Sequence, residues 1–238
     1  MTGSNYTRAE EAQKRLPSLM ELLNKYVNDP QVAIAANDDF KSVQISDFES
    51  DNRVDEHIRS VRLVGEGGAN DGESYDLILY AAARKIVTDA MEKRSKKGYL
   101  FLYADEPIMK VVDKQEVKTV FGDSIQANIP IAEIIEEARR LWNVFVIFPR
   151  GGYEHAHKQY VELFGEESVI ESQHPKMLCE LIASTVGLYE DKVTPDTAVT
   201  DLVSYGVDRS TATALVVAAT RASGTELATS GAGRAARL

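Results

Sequence analysis

Apolar residues at Leu16, Leu19, Met20 and Leu23 recur at three- and four-residue spacing among Glu10, Glu11, Lys14, Arg15 and Glu21, which predicts an amphipathic helix over Thr7–Val27. Asn28-Asp29-Pro30 ends it. The run Gln31–Ala36, closed by Asn37-Asp38-Asp39, has the length of a buried strand. In Val43–Phe48, Val43, Ile45 and Asp47 alternate with Gln44 and Ser46, the pattern of a strand at a sheet edge. Asp51–Val64 predicts a short helix with Val54, Ile58 and Val61 on one stripe.

That helix runs into Gly65-Glu66-Gly67-Gly68-Ala69-Asn70-Asp71-Gly72, where four glycines in eight residues permit positive backbone angles and close approach of a ligand. One long helix is expected from Glu73 to about Ser95, stopped by Gly98. Tyr99–Ala104 is the clearest buried strand, ending at Asp105-Glu106-Pro107. Helices over Asp113–Val120, Ile131–Trp142, Tyr153–Phe164 and Lys176–Leu188 then alternate with strands at Val144–Phe148 and Ser168–Ile170. Strands and helices alternating in this way predict an α/β fold with a doubly wound, mostly parallel sheet, one antiparallel edge strand and helices on both faces. Residues 1–190 are expected to form this domain. A helical hairpin over residues 191–223, turning at Gly206, and a disordered Gly/Ala/Ser/Thr/Arg tail over residues 224–238 follow it.

The composition narrows the functional classes. With 44% hydrophobic residues among 238 the chain has enough apolar material for a core, and its single cysteine excludes an internal disulfide framework. No apolar run is long enough to span a bilayer, and Met1–Tyr6 has no signal-peptide pattern, so a cytoplasmic location with no membrane partner is expected. The 37 acidic residues against 27 basic give a net charge of −10, which repels nucleic acid and favours cations.

In an open α/β sheet, ligands bind beyond the carboxyl ends of the strands. The loops there offer Asp38 and Asp39, the glycine-rich loop with Glu73 and Ser74, Asp105 and Glu106, and Arg150-Gly151-Gly152. Thr2 and Ser4, just ahead of the first helix, add hydroxyls. Oxygen donors without histidine or cysteine suit a hard cation, Mg²⁺ above all. His155 and His157, two apart on a helix, point to different faces and do not make a zinc site. Cys179 sits at an apolar helix position, as a buried thiol would, and the glycine-rich loop lacks the Gly-Lys-Ser/Thr of a phosphate loop.

Three strings carry a resemblance: Thr2-Gly3-Ser4; Gly72-Glu73-Ser74-Tyr75-Asp76 with the Ala-rich helix that follows it; and Lys97-Gly98-Tyr99-Leu100-Phe101 running on to Asp105-Glu106. Over roughly residues 1 to 190 the chain resembles the von Willebrand factor A-like domains, in a bacterial and phage branch. These domains bind a divalent cation through an Asp-x-Ser/Thr-x-Ser motif after the first strand, a loop threonine and an Asp after the fourth strand. The resemblance implies that Thr2, Ser4, Glu73 and Asp105 are metal ligands for Mg²⁺ or Mn²⁺. Glu73 stands where the family has Thr. It also implies that the motif's leading Asp and the central first strand would precede Met1. Cation binding by this chain is therefore expected to be weak. In-frame codons upstream are expected to encode a strand of five to seven apolar residues, and Gln31–Ala36 and Tyr99–Ala104 should flank an empty slot or be drawn together.

The implied function is a non-enzymatic, cation-dependent protein-binding module whose metal takes a last ligand from a partner's Asp or Glu. Two other classes stay open: a Mg²⁺-dependent phosphoester hydrolase using Asp105, Glu106, Asp38 and Asp39, and a metal-free scaffold whose C-terminal hairpin recruits partners.

Overall fold

The computed structural model describes residues 3–37, 41–51, 53–62 and 73–224. The glycine-rich loop 65–72, Asp38, Asp39, Thr2 and the tail beyond Gly224 lie outside the described residues. Helix α1 (Gly3–Tyr26) begins four residues before its predicted start, so Ser4 belongs to a helical turn. The strands β1 (Ala35–Asn37) and β2 (Val43–Ile45) pair antiparallel with each other, Ala35 opposite Ile45. They form a separate two-stranded sheet. This corrects the expectation that Gln31–Ala36 and Val43–Phe48 belong to the main sheet: only three residues of each pair continuously, and an isolated bridge joins Val32 to Glu49. Helix α2 spans Arg53–Ser60.

The single helix expected over Glu73–Ser95 is two. Helix α3 (Tyr75–Arg84) ends at Lys85, whose amide still bonds Ala81 O. Helix α4 (Asp89–Arg94) starts at Thr88, whose side chain accepts a hydrogen bond from the Met91 amide. Between them stands the β-branched run Ile86-Val87-Thr88, poorly disposed to helix, and a capping threonine at its end favours a new helix start. The stop comes at Ser95, with φ of +51°, three residues before Gly98.

The remaining elements follow the predicted order. They are β3 (Gly98–Tyr103), β4 (Val111–Val112), α5 (Lys114–Phe121), β5 (Ile129–Pro130), α6 (Ile131–Leu141), β6 (Trp142–Pro149), α7 (Glu154–Phe164), β7 (Val169–Ser172), α8 (Leu178–Tyr189), α9 (Pro195–Ser204) and α10 (Arg209–Ser223). Sequence reasoning did not foresee β4 and β5, two residues each and paired antiparallel, because so short a pair leaves no periodicity.

The fold is thus mixed α/β, built on a parallel sheet of order β3-β6-β7. Gly98 lies opposite Trp142 and Tyr103 opposite Ile147, and Val146 lies opposite Val169. Side chains alternate between two cores, as a strand's period of two requires. On one face Phe145, Ile147 and Ile170 pack with α1, α8, α9 and α10. On the other, Trp142, Val144, Val146 and Phe148 pack with α3, α6 and α7. The amphipathic pattern of α6 shows why: Ile131, Ile134, Ile135 and Ala138 form its buried stripe.

Between segments 31–37 and 98–103 the chain encloses a cavity of about 990 Å³. Leu19 and Leu23 of α1, Ile78 and Ala82 of α3, and Phe101 of β3 contribute to its walls. No described strand pairs with β3 on the side opposite β6. No described helix is long and apolar enough to cross a membrane.

Candidate functional site

The carboxyl ends of β3 and β6 place Asp105 and Gly152 side by side. The Tyr153 amide donates to Asp105 O at 3.3 Å, and a Cβ on Gly152 would come within 2.6 Å of the Phe148 ring and 3.2 Å of Asp105 O. Glycine at 152 is therefore what lets the loop after β6 close over the loop after β3. The segment 105–108 is held from three more directions. Tyr160 of α7 donates its hydroxyl to Glu106 O at 2.9 Å. Gln159 clamps Ile108 with both ends of its side-chain amide, donating to Ile108 O and accepting from Ile108 N–H, each at 2.9 Å. The Glu73 amide donates to Pro107 O at 2.9 Å, a bridge that draws the start of α3 against this loop.

Glu73 and Asp105, 32 positions apart in the chain, thus reach the same sheet edge, and both are buried, at 4% and 7% exposure. The Tyr75 hydroxyl faces Asp105 Oδ1 at 3.5 Å. Burial first, and then the negative charge of Asp105 and Glu73, push the Tyr75 and Tyr160 phenols well above their ordinary range, so both stay protonated donors. Of the four predicted ligands the structure brings these two together. Ser4 lies in the first turn of α1, and Thr2 lies outside the described residues, as do Asp38 and Asp39 of the hydrolase reading. Among the described residues no group of three or more His, Cys, Asp or Glu side chains is placed to hold a metal ion.

A third carboxylate stands near the same helix start. Asp76 is fully buried, and neither side-chain oxygen has a hydrogen-bond partner. Burial raises its pKa to about 7, against the pull of Lys41, while Glu116 adds to the rise. Lys41 is itself paired with Glu116 at 3.1 Å. Sequence reasoning passed over Asp76 because an acidic residue in a first helical turn is ordinary on a surface helix. The signal was the helix itself: Leu77 through Ala82 carry no polar side chain except the Tyr80 hydroxyl, which marks a segment covered all round.

The other sequence candidates fall to structural roles. His157 pairs with Glu171 at 3.1 Å and packs edge-on against Phe148, while His155 lies against Tyr153. Cys179 is buried at 3% exposure, and burial pushes its thiol pKa up to about 12, too high for a nucleophile. Arg150 uses its amide to join the loop after β6 to Ser172 O. No protein-family model, no curated protein and no solved structure matches this chain.

Proposed function

We propose that the chain is a non-enzymatic protein-binding module in which a divalent cation at the carboxyl edge of the sheet takes its last ligand from a partner's Asp or Glu. The observation that carries this reading is the convergence of Glu73 and Asp105, two buried carboxylates on loops pinned by Gln159, Tyr160 and Tyr153. The donors fit a hard ion such as Mg²⁺ or Mn²⁺: all oxygen, two negative charges, and fixed anchoring. Glu73 and Asp105 would hold the ion, which would supply the positive charge that a partner carboxylate recognises. Tyr75 faces Asp105 with a protonated hydroxyl, and Tyr160 holds the same loop through its bond to Glu106 O. A doubly wound, Rossmann-like sheet is part of the same reading, and the parallel order β3-β6-β7 with helices on both faces supports it.

The test is calorimetric titration of the protein with Mg²⁺ and Mn²⁺, beside Asp105→Ala and Glu73→Gln. Two carboxylates without a third give a millimolar-class site, and each variant should weaken it at least tenfold, about 1.4 kcal/mol. Equal titration curves for the three proteins would remove the cation from the mechanism.

A further inference from the structure

We infer that the β1–β2 hairpin is a flap held closed by a proton at Asp76, with Lys41 as its latch. The first observation is the setting of the carboxyl. Asp76 is fully buried in the first turn of α3, and neither of its oxygens has a hydrogen-bond partner. An ionised carboxylate there lacks both water and a donor, whereas the neutral acid leaves only ordinary polar atoms unpaired, so burial favours the protonated form.

The second observation is the set of charges around it. Lys41, just ahead of β2, attracts the carboxylate, and Glu116 of α5 repels it. Lys41 and Glu116 pair with each other at 3.1 Å. One cation thus serves two acids and cannot neutralise both. The other charged groups on elements packed against α3 are engaged elsewhere. Glu137 of α6 takes Arg84, Asp123 takes Lys85 and the Tyr80 hydroxyl, and Asp113 caps α5. The Tyr75 hydroxyl turns to Asp105. Lys41 also has a φ of +64°, a left-handed conformation that residues other than glycine adopt at a cost, so its contacts and not its own preference hold the connection in place.

The third observation is how lightly the hairpin is anchored. It packs on α3 through β1, and Val43 and Phe48 rest on the core that holds Tyr75, Leu77 and Leu79. Yet it is a two-stranded sheet of its own, and within its strands only Ala36 is buried. Gln44 exchanges hydrogen bonds with the backbone of Arg62, beyond α2. Helix α5, on the other side of the lysine, is fixed by the fully buried Val117. The hairpin is therefore the cover that yields at least cost. Once it lifts, water reaches Asp76. The closed form keeps the proton to about pH 7, and the open form releases it near the ordinary carboxyl value of about 4. Opening is thus favoured progressively as pH rises through that interval and levels off above it. Ala35, Ala36, Asn37 and Ile45 line the cavity, so the position of the flap sets how widely the cavity stands open.

The experiment is amide exchange on the whole chain in EDTA, so that its result does not depend on the cation reading, with rates corrected for the intrinsic effect of pH. The flap is read at Val32, Ser46 and Glu49, whose N–H groups donate to Glu49 O, Ile34 O and Val32 O within the hairpin. A two-stranded ladder lifted off its support does not hold together alone, so these amides report opening. From about pH 5 to about pH 7 their protection should fall at least tenfold, and in Asp76→Asn it should change less than twofold. In Lys41→Met the fall should continue past pH 7, because without the lysine's attraction the carboxyl keeps its proton to higher pH. In about 1 M urea the hairpin amides should keep their rates while those of β6 quicken, which separates a local opening from global unfolding. Equal protection at both pH values, an equal fall in Asp76→Asn, a Lys41→Met profile that levels off where the parent's does, or hairpin amides that quicken with urea alongside β6 would each overturn the inference.

Discussion

Strands β3 and β6 lie in one sheet, share a register and have similarly apolar sequences, yet they are buried very differently. In β6 every residue except Asn143 is buried, whereas in β3 only Leu102 is. Both are faced by helices above and below. What differs is the edge: β6 has β3 on one side and β7 on the other, and β3 has the cavity on its second side. Covering a strand's two faces is thus insufficient to bury it, because side chains that lean over a neighbour's position stay open until that neighbour is present. Hydrophobic pattern alone marked Tyr99–Ala104 as the clearest buried strand, whereas the lateral partners make β6 the buried one.

The contrast can be broken most sharply by truncating aromatic residues. Phe148→Ala in β6 should cost about 3–5 kcal/mol, the range for emptying a fully enclosed aromatic site. Phe101→Ala in β3 should cost roughly half as much, since its ring rests on Phe145 at 5.2 Å but also lines the open cavity. Urea melts of the two variants read the difference directly. Equal costs would mean that the cavity wall is as tightly packed as the interior of the sheet.

Next in size is the pH dependence set by Asp76, on the helix that covers β3. Below about pH 4 this carboxyl is protonated whether the chain is folded or not. As pH rises the unfolded chain releases the proton first, while the folded chain keeps it to about pH 7. The folded state is favoured less with each step across that interval and levels off above it, a total loss on the order of 4 kcal/mol. Asp76→Asn should therefore match the parent at pH 4 and be more stable at pH 8, as followed by denaturant midpoints. A variant destabilised at both pH values would show that the anion is engaged by groups around it, Lys41 above all.

The smallest expected effect lies where the two strands begin together. A Cβ at Gly98 would meet the Trp142 ring at 2.6 Å, and that ring's Nε1–H donates to Ala82 O at 2.9 Å. Gly98→Ala should cost about 1–3 kcal/mol through the displaced indole. Trp142 is the sole tryptophan, so its emission should shift to the red as the ring moves towards the cavity. An unshifted spectrum would place the strain in the backbone of β3 and leave the ring where it is.

These comparisons also mark what was legible in the residues. Gly98–Tyr103 and Trp142–Pro149 stand out as apolar runs bounded by polar turns, so their existence and order could be read. The break between α3 and α4 could not, because Ile86 and Val87 continue an apolar pattern while their β-branching opposes the helix. Asp105 and Glu73 were located by a rule about strand ends and loops. Their support was hidden, since Gln159 and Tyr160 act on a loop some fifty residues away, and hydrogen bonds across that distance leave no trace in local periodicity. Asp76 was hidden for another reason: the same carboxylate is commonplace on a solvated helix and costly inside a core, and only burial tells the two apart.

The recessed setting of β3 bears on how this protein behaves at high concentration. A bare sheet edge ordinarily templates stacking between copies and leads to aggregates. Here the edge is set down between α1 on one face and α3 on the other, with the β1 side of the cavity opposite. A second folded copy would have to bring the helices on both faces of its own sheet into the space between α1 and α3. Shape therefore works against fibre-like growth at this edge, and it does so as long as α1 stays docked on α8, where Arg15 pairs with Glu180.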